Sequence, residues 1–169
     1  MRIRQIGPDD AEAFVHLMRE VENNAEYMLF EPEERDTTIE AQRERIEKME
    51  KDRHSRIFVA EKSDTLIGYL IVIGGQAKRN RHSAYLVVGI LKEYRGNGVG
   101  SKLFIELEKW AKDQDIQRLE LTAVTRNEAG LALYRKAGFE VEGVKRRSLL
   151  INDEFVDEYY MSRLLLDNE

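Results

Sequence analysis

Cysteine is absent from this chain of 169 residues, so neither a disulfide framework nor a thiolate metal site is open to it. No apolar run approaches the roughly 20 residues that span a bilayer. The N-terminus, Met1-Arg2-Ile3-Arg4-Gln5-Ile6-Gly7-Pro8, lacks the apolar stretch of a secretory signal. Basic residues are outnumbered: 27 Lys and Arg stand against 32 Asp and Glu, a formal net charge of -5. That balance argues against general nucleic-acid binding, because the phosphate backbone wants a basic surface. Only two prolines occur, and no Pro/Gly/Ser linker, repeat or low-complexity tract divides the chain. The three histidines, His16, His54 and His82, have no carboxylates at ligand spacing, so no metal is expected. What remains is a soluble, cytoplasmic protein with neither membrane nor nucleic acid among its partners. Residues 1–169 read as a single domain, long enough to bury its own core.

The charge that is present is uneven. Residues 20 to 36 carry seven acids (Glu20, Glu22, Glu26, Glu31, Glu33, Glu34 and Asp36) against one base, Arg35. Such a segment reads as a solvated loop, or as a rim that draws in a cationic substrate.

Apolar spacing divides the chain into elements. Ile3 and Ile6 among arginines suggest a short strand, and Pro8-Asp9-Asp10 supplies helix-start chemistry. Phe14, Leu17, Met18 and Val21 follow at helical spacing. After a loop from about Asn23 to Asp36, a highly charged helix carries only Ile39, Ile46 and Met49 as apolar positions, and is expected to lie on the surface. The period then shortens. Ile57 to Ala60, a turn at Lys62-Ser63-Asp64, and Leu66 to Ile73 form an antiparallel hairpin. Basic Lys78-Arg79-Asn80-Arg81 precedes a strand from Tyr85 to Ile90. Beyond a glycine-rich turn, Val99, Leu103, Leu107 and Trp110 share one helical face. Leu119 to Val124 is a strand, Asn127 to Ala137 a helix and Phe139 to Leu150 a long strand, turned back at Asn152-Asp153 into Phe155 to Leu165. The order βααβββαβαββ implies an α/β (α+β) fold, a central mixed sheet with helices on both faces.

The most informative stretch is Arg95-Gly96-Asn97-Gly98-Val99-Gly100-Ser101, between a strand and an amphipathic helix. Glycines let a backbone approach a ligand, and a helix N-terminus adds unpaired N–H donors and partial positive charge. A pyrophosphate is the natural guest, with Arg95 and Lys102 at the rim. The dinucleotide fingerprint fails, because the third glycine falls one place early, at Gly100. The P-loop fails too, because Gly100-Ser101-Lys102 inverts the required Gly-Lys-Ser. A tight strand-to-helix turn without a ligand is the bland alternative.

The pattern Arg95-x-x-Gly98-x-Gly100 resembles the coenzyme A pyrophosphate signature of the GNAT N-acetyltransferase superfamily. The block from Asn127 through Tyr134 to Phe139 resembles the next segment of that superfamily, and Ile67-Gly68-Tyr69 and Glu154 to Met161 are similar as well. The resemblance runs in order along the chain. It implies a mostly antiparallel mixed sheet of about seven strands with about four helices. It also implies an acetyl-CoA-dependent transfer to an amine, with no metal. The backbones of Val88, Gly89 and Ile90, in a strand splayed from its neighbour, would hold the pantetheine and acetyl groups. Residues 95–101 (Gly96, Asn97, Val99 and Ser101 included) would hold the pyrophosphate, with Asn127, Gly130 and Lys136 as further cofactor contacts. Tyr134 would stand beside the sulfur as the acid. A non-catalytic acyl-CoA sensor and an interaction module are the alternatives.

The chemistry sets requirements of its own. A lysine-like amine is roughly 0.04% neutral at pH 7, a penalty of about 4.6 kcal/mol, so something must take its proton. The strand Tyr85–Ile90 contains no acid; Tyr85 through water, or His82, are the candidates, and a solvated role for His82 is the plainer reading. The resemblance implies that the loop between the first two helices and the last hairpin shape the acceptor site; the loop residues Tyr27, Phe30 and Glu31, with Tyr85, suit an amine having an apolar body and a positive tail. A small amine, an amino-acid derivative or a polyamine is expected, with a protein N-terminus as the rival. Relatives in this superfamily are often dimers, and Tyr159, Tyr160 and Leu164 to Leu166 offer a surface for one.

Overall fold

The computed structural model describes residues 1–165; Leu166 lies outside them. The strands and helices follow the expected order. They are β1 (Arg2–Gln5), α1 (Ala11–Asn23), α2 (Ile39–Lys51), β2 (Arg56–Lys62), β3 (Thr65–Gly74) and β4 (Ser83–Ile90). Then come α3 (Val99–Asp113), β5 (Arg118–Val124), α4 (Glu128–Lys136), β6 (Glu140–Ile151) and β7 (Glu154–Leu164). The strands form one seven-stranded sheet in the order β1-β2-β3-β4-β5-β7-β6. Every pairing is antiparallel except β4 with β5.

The period-2 alternation of β2 sends Ile57 and Val59 to one face and Phe58 and Ala60 to the other. Helices α1 and α2 cover the first face over β1 to β3, and α3 and α4 cover the second. Two-residue turns join β2 to β3 and β6 to β7. Ser63 and Asp64, like Asn152 and Asp153, all have positive φ, the conformation whose twist matches that of the strands.

Three features depart from the sequence reading. Helix α2 sits against α1 with one stripe enclosed, Ile46 at 0% and Gln42 at 1% exposure, instead of lying wholly on the surface. Gln42 and Ile46 are four residues apart and share a face, which a count of apolar residues misses. In β3, Ile67 has no partner on β2, where Ala60 pairs Gly68 and Glu61 pairs Leu66. This bulge switches the phase, so Ile67 and Tyr69 face opposite sides of the sheet. Strand β6 begins at Glu140 instead of Phe139 and is broken in register twice, between Val141 and Gly143 and between Lys145 and Leu149. Phe139 itself is buried in the core beside α3.

Candidate functional site

The site begins where the sheet opens. β4 and β5 pair at only three positions, Ser83 with Arg118, Ala84 with Leu119 and Tyr85 with Glu120, so from Leu86 onward β4 has no neighbour on that side. The Gly75 N–H donates to the Ser83 carbonyl at 2.9 Å, which fixes the phase of β4. Backbone groups of odd-numbered residues through Gly89 face β3, and those of Leu86, Val88 and Ile90 face the opening. Of the three backbones named from sequence, Val88 and Ile90 thus turn their polar groups toward the gap, where the Ile90 carbonyl meets only Arg95, whereas Gly89 faces Tyr69 of β3. Gly89 has a different reason to be glycine: a Cβ there would lie 2.4 Å from the Tyr69 ring.

Beyond β4 the glycine turn starts α3. Gly98 takes φ 80° at the N-cap, and no side chain caps the helix. The first intrahelical bond runs from the Lys102 N–H to the Gly98 carbonyl at 3.1 Å. The N–H groups of Val99, Gly100 and Ser101 therefore have no partner within the helix. A Cβ on Gly96 or Gly98 would meet nothing within 4 Å, so the turn is open on its outer side. Gly100 is needed for packing, since a Cβ would come within 2.6 Å of Leu133 on α4. Arg95 makes only long contacts, to the carbonyls of Ile90 and Asn24 at 3.4 Å each. Asn97 donates to the Arg95 carbonyl at 3.2 Å. Uncapped N–H donors, an open glycine surface and a loosely held arginine fit a pyrophosphate.

Helix α4 closes the other side. The Asn127 side-chain carbonyl accepts from the Gly130 N–H at 3.0 Å, an N-cap worth about 1 kcal/mol that leaves the amide NH2 free to donate. Gly130 makes room for that amide, because a Cβ would lie 2.5 Å from it. Lys136 is exposed in the last turn, about 13 Å further along the axis from Asn127 by helical rise. Between them Tyr134 is held by Phe104 and Phe139, with ring centroids 6.1 and 6.4 Å away. Burial, with a smaller contribution from the Tyr85 phenol, pushes the Tyr134 hydroxyl up to about 12.

On the α1 side, Tyr85 bonds Thr122 through its hydroxyl at 2.9 Å, and its ring is partly exposed. Arg126, in the turn after β5, is raised mainly by its hydrogen bonds to Glu154, with a small contribution from the Tyr27 phenol nearby. Phe30 stacks under Arg35 at 4.3 Å. Glu31 stays exposed, its N–H donating to the Glu34 carboxylate at 2.9 Å. His82 is exposed and precedes β4, about 20 Å from Val88 by strand rise, far from the open end of that strand. One acid of the charged segment is not solvated at all: Glu22 is 3% exposed. Its position at the end of α1, one after Val21 of the apolar stripe, was the only signal of burial in the sequence.

An open seam between parallel strands, an uncapped glycine-started helix beside it and a sequestered tyrosine across it define the acyl-CoA-binding class of α/β sheets. The chain matches the acetyltransferase (GNAT) family over residues 16–139 and belongs to that family. It is 32% identical to the L-amino acid N-acetyltransferase AaaT of Escherichia coli (strain K12) over 103 residues, 59% of this chain and 62% of that one. It is also 32% identical to the N-alpha-acetyltransferase RimI of Mycobacterium tuberculosis (strain ATCC 25618 / H37Rv) over 112 residues, 65% of this chain and 66% of the relative. The matches thus span less than two thirds of AaaT and about two thirds of RimI. An acetyltransferase of the GNAT family from Streptococcus pneumoniae superposes with a TM-score of 0.93 at 31% identity, covering 98% of this chain and 99% of that one. Among the described residues no helix is long and apolar enough to cross a membrane, and no group of three acids or histidines could hold a metal ion.

Proposed function

We propose that residues 1–169 act as one acetyl-CoA-dependent N-acetyltransferase domain, cytoplasmic, transferring an acetyl group to the primary amine of a small acceptor. The observation that carries this is the open end of β4 lying directly beside the uncapped N-terminus of α3. Acetyl-CoA, when bound, supplies a thioester whose carbonyl carbon is open to attack by an amine. Val99, Gly100 and Ser101 would bind the pyrophosphate through their N–H groups, with Arg95 swinging from its long contacts to add charge. An N–H of Val88 or Ile90 would donate to the carbonyl oxygen as it gains charge; fixed dipoles of this kind need no reorganisation.

Tyr134 would donate to the departing sulfur. A coenzyme A thiolate resembles a cysteine thiolate, with pKa about 8.5. A phenol pushed up to about 12 keeps its proton at neutral pH, so it stabilises the thiolate as a hydrogen-bond donor and water completes the protonation. Tyr85 and Tyr27 would line the acceptor's path. An amino-acid derivative or a simple or polyvalent amine suits this aromatic and acidic wall, and likeness to AaaT supports the first of these.

The test is calorimetry with acetyl-CoA, on the wild type and on Gly98→Glu. The new side chain would enter open space in front of the helix N-terminus and leave the core alone, at a cost of about 1–2 kcal/mol for a non-glycine residue at φ 80°. Micromolar binding by the wild type, lost in a variant that still melts cooperatively, is expected. A well-folded wild type that binds no acetyl-CoA would overturn the reading.

A second copy is the partner proposed for the terminal hairpin. Val144, Leu150, Phe155, Tyr160 and Leu164 are each at least 46% exposed on β6 and β7, and β6 is an edge strand. Apolar surface on an uncovered edge favours association. Light scattering is expected to give twice the chain mass for the wild type and the single-chain mass for Phe155→Asp. A wild-type monomer at tens of micromolar would dismiss the dimer.

A further inference from the structure

Five buried side-chain atoms have no hydrogen-bond partner among the described residues, and four of them gather beneath the α1–α2 loop: Glu22 Oε1, Arg35 Nε, Gln42 Nε2 and Tyr69 Oη. Native proteins leave few such atoms unpaired, and each needs a reason. Glu22 Oε1 and Arg35 Nε are each other's charge partner at 2.9 Å, outside hydrogen-bond geometry, whereas Gln42 Nε2 and Tyr69 Oη have no partner among the described residues. Arg35 is the single base among the seven acids of residues 20–36. It is held by stacking on Phe30 and also lines a cavity with room for about one water, together with Arg19, Thr37 and Gln42.

The cluster adjoins the reaction centre. The Tyr69 hydroxyl lies over Gly89, where a Cβ would meet it at 2.5 Å, and its ionisation is opposed by burial and then by the nearby Glu22 carboxylate. The loop is tied to the glycine turn by Arg95, which reaches the Asn24 carbonyl. A cation between Glu22 and Tyr69 would thus stand on the acceptor side of the seam.

We propose that the Glu22 carboxylate is the seat for the acceptor's ammonium group and takes its proton, Arg35 holding that seat as a tethered cation until the acceptor displaces it. The inference rests on the acetyltransferase reading and supplies the proton acceptor that β4 lacks. In the step, one N–H bond of the ammonium breaks, its electron pair stays on nitrogen as the attacking lone pair, and the proton moves to a Glu22 oxygen. Solvent removes that proton after turnover. Burial raises Glu22 above the ordinary carboxylate range and Glu34 adds to this, while Arg35 opposes it. Displacement of Arg35 therefore makes Glu22 a stronger base. The other groups facing it are Tyr69 from β3 and, through Arg35, Arg45 of α2.

The experiment compares the wild type with Glu22→Gln and Arg35→Met. Each is checked by thermal melting and acetyl-CoA calorimetry, then assayed across pH with butylamine, putrescine and L-methionine. Glu22→Gln is expected to lower kcat/KM about 100-fold or more and to abolish the acid limb of its pH profile. Arg35→Met is expected to lower KM about 5- to 10-fold by removing the competing cation. Unchanged acetyl-CoA affinity is expected in both. A Glu22→Gln enzyme within threefold of wild type, or one keeping the acid limb, overturns the proposal. So does a failure of both wild type and Arg35→Met to acetylate any of the three amines while acetyl-CoA binds. Absence of acetyl-CoA binding by the wild type would instead strike the acetyltransferase reading itself.

Discussion

Tyr134→Phe is expected to lower kcat by about 10²- to 10⁴-fold, the range for losing a positioned proton or hydrogen-bond donor, with acetyl-CoA affinity and melting temperature nearly unchanged. The ring is fixed by Phe104 and Phe139, and phenylalanine preserves those edge contacts, so only the hydroxyl is removed. The thiolate would then leave without that positioned donor, with only water to receive it. Single-turnover kinetics with a fixed amine reads the chemical step directly; a change under threefold would mean that the thiolate departs unaided. The pH dependence adds a second check. Tyr134 is held protonated up to about 12, above the ordinary phenol value of 10.0, so its donor function persists past pH 10 and is lost on approach to pH 12. The same shift leaves stability untouched below the unfolded phenol's pKa and lowers it as pH rises from there through the folded one, because the buried ring resists ionisation.

Phe14→Ala is expected to destabilise the protein by about 3–5 kcal/mol, the range for truncating a large aromatic in a packed core. Phe14 is 0% exposed on α1 and meets the Tyr69 ring edge-on at 5.5 Å between centroids. At roughly 2–4 °C per kcal/mol for a chain of this size, the melting temperature should fall by about 6–20 °C. Circular dichroism melts measure this, and a loss below 1 kcal/mol would mean that the helix collapses into the space. The variant should also weaken acceptor use more than acetyl-CoA binding, because the ring that steadies Tyr69 is gone while the glycine turn is untouched.

Much of the architecture was legible in the sequence. Alternation in Ile57–Ala60, the helical stripe through Phe14 and Val21, and the turn pairs Ser63-Asp64 and Asn152-Asp153 report local backbone geometry, and local geometry is what side-chain spacing encodes. The uncapped glycine start of α3 was legible for the same reason, since three glycines within five residues mark a close backbone approach. The resemblance to the GNAT superfamily named Tyr134 and Asn127, which spacing alone would have left as a core aromatic and a helix cap.

What the sequence by itself determined, then, is the order of elements, the two-faced sheet and the cradle at Gly98. Tertiary structure alone decided the rest. Pairing of β4 with β5 stops after Tyr85, a long-range event that exposes Val88 and Ile90. Gly89 must be glycine because of Tyr69, twenty residues earlier on the neighbouring strand. Glu22, one of seven acids in a charged segment, is the acid that is buried, because the last turn of α1 rotates it under Arg35 and toward β3. Spacing along a chain says which side of an element is apolar. It does not say which polar groups from α1, β3 and a distant loop will meet in the dark, because that depends on how whole elements pack.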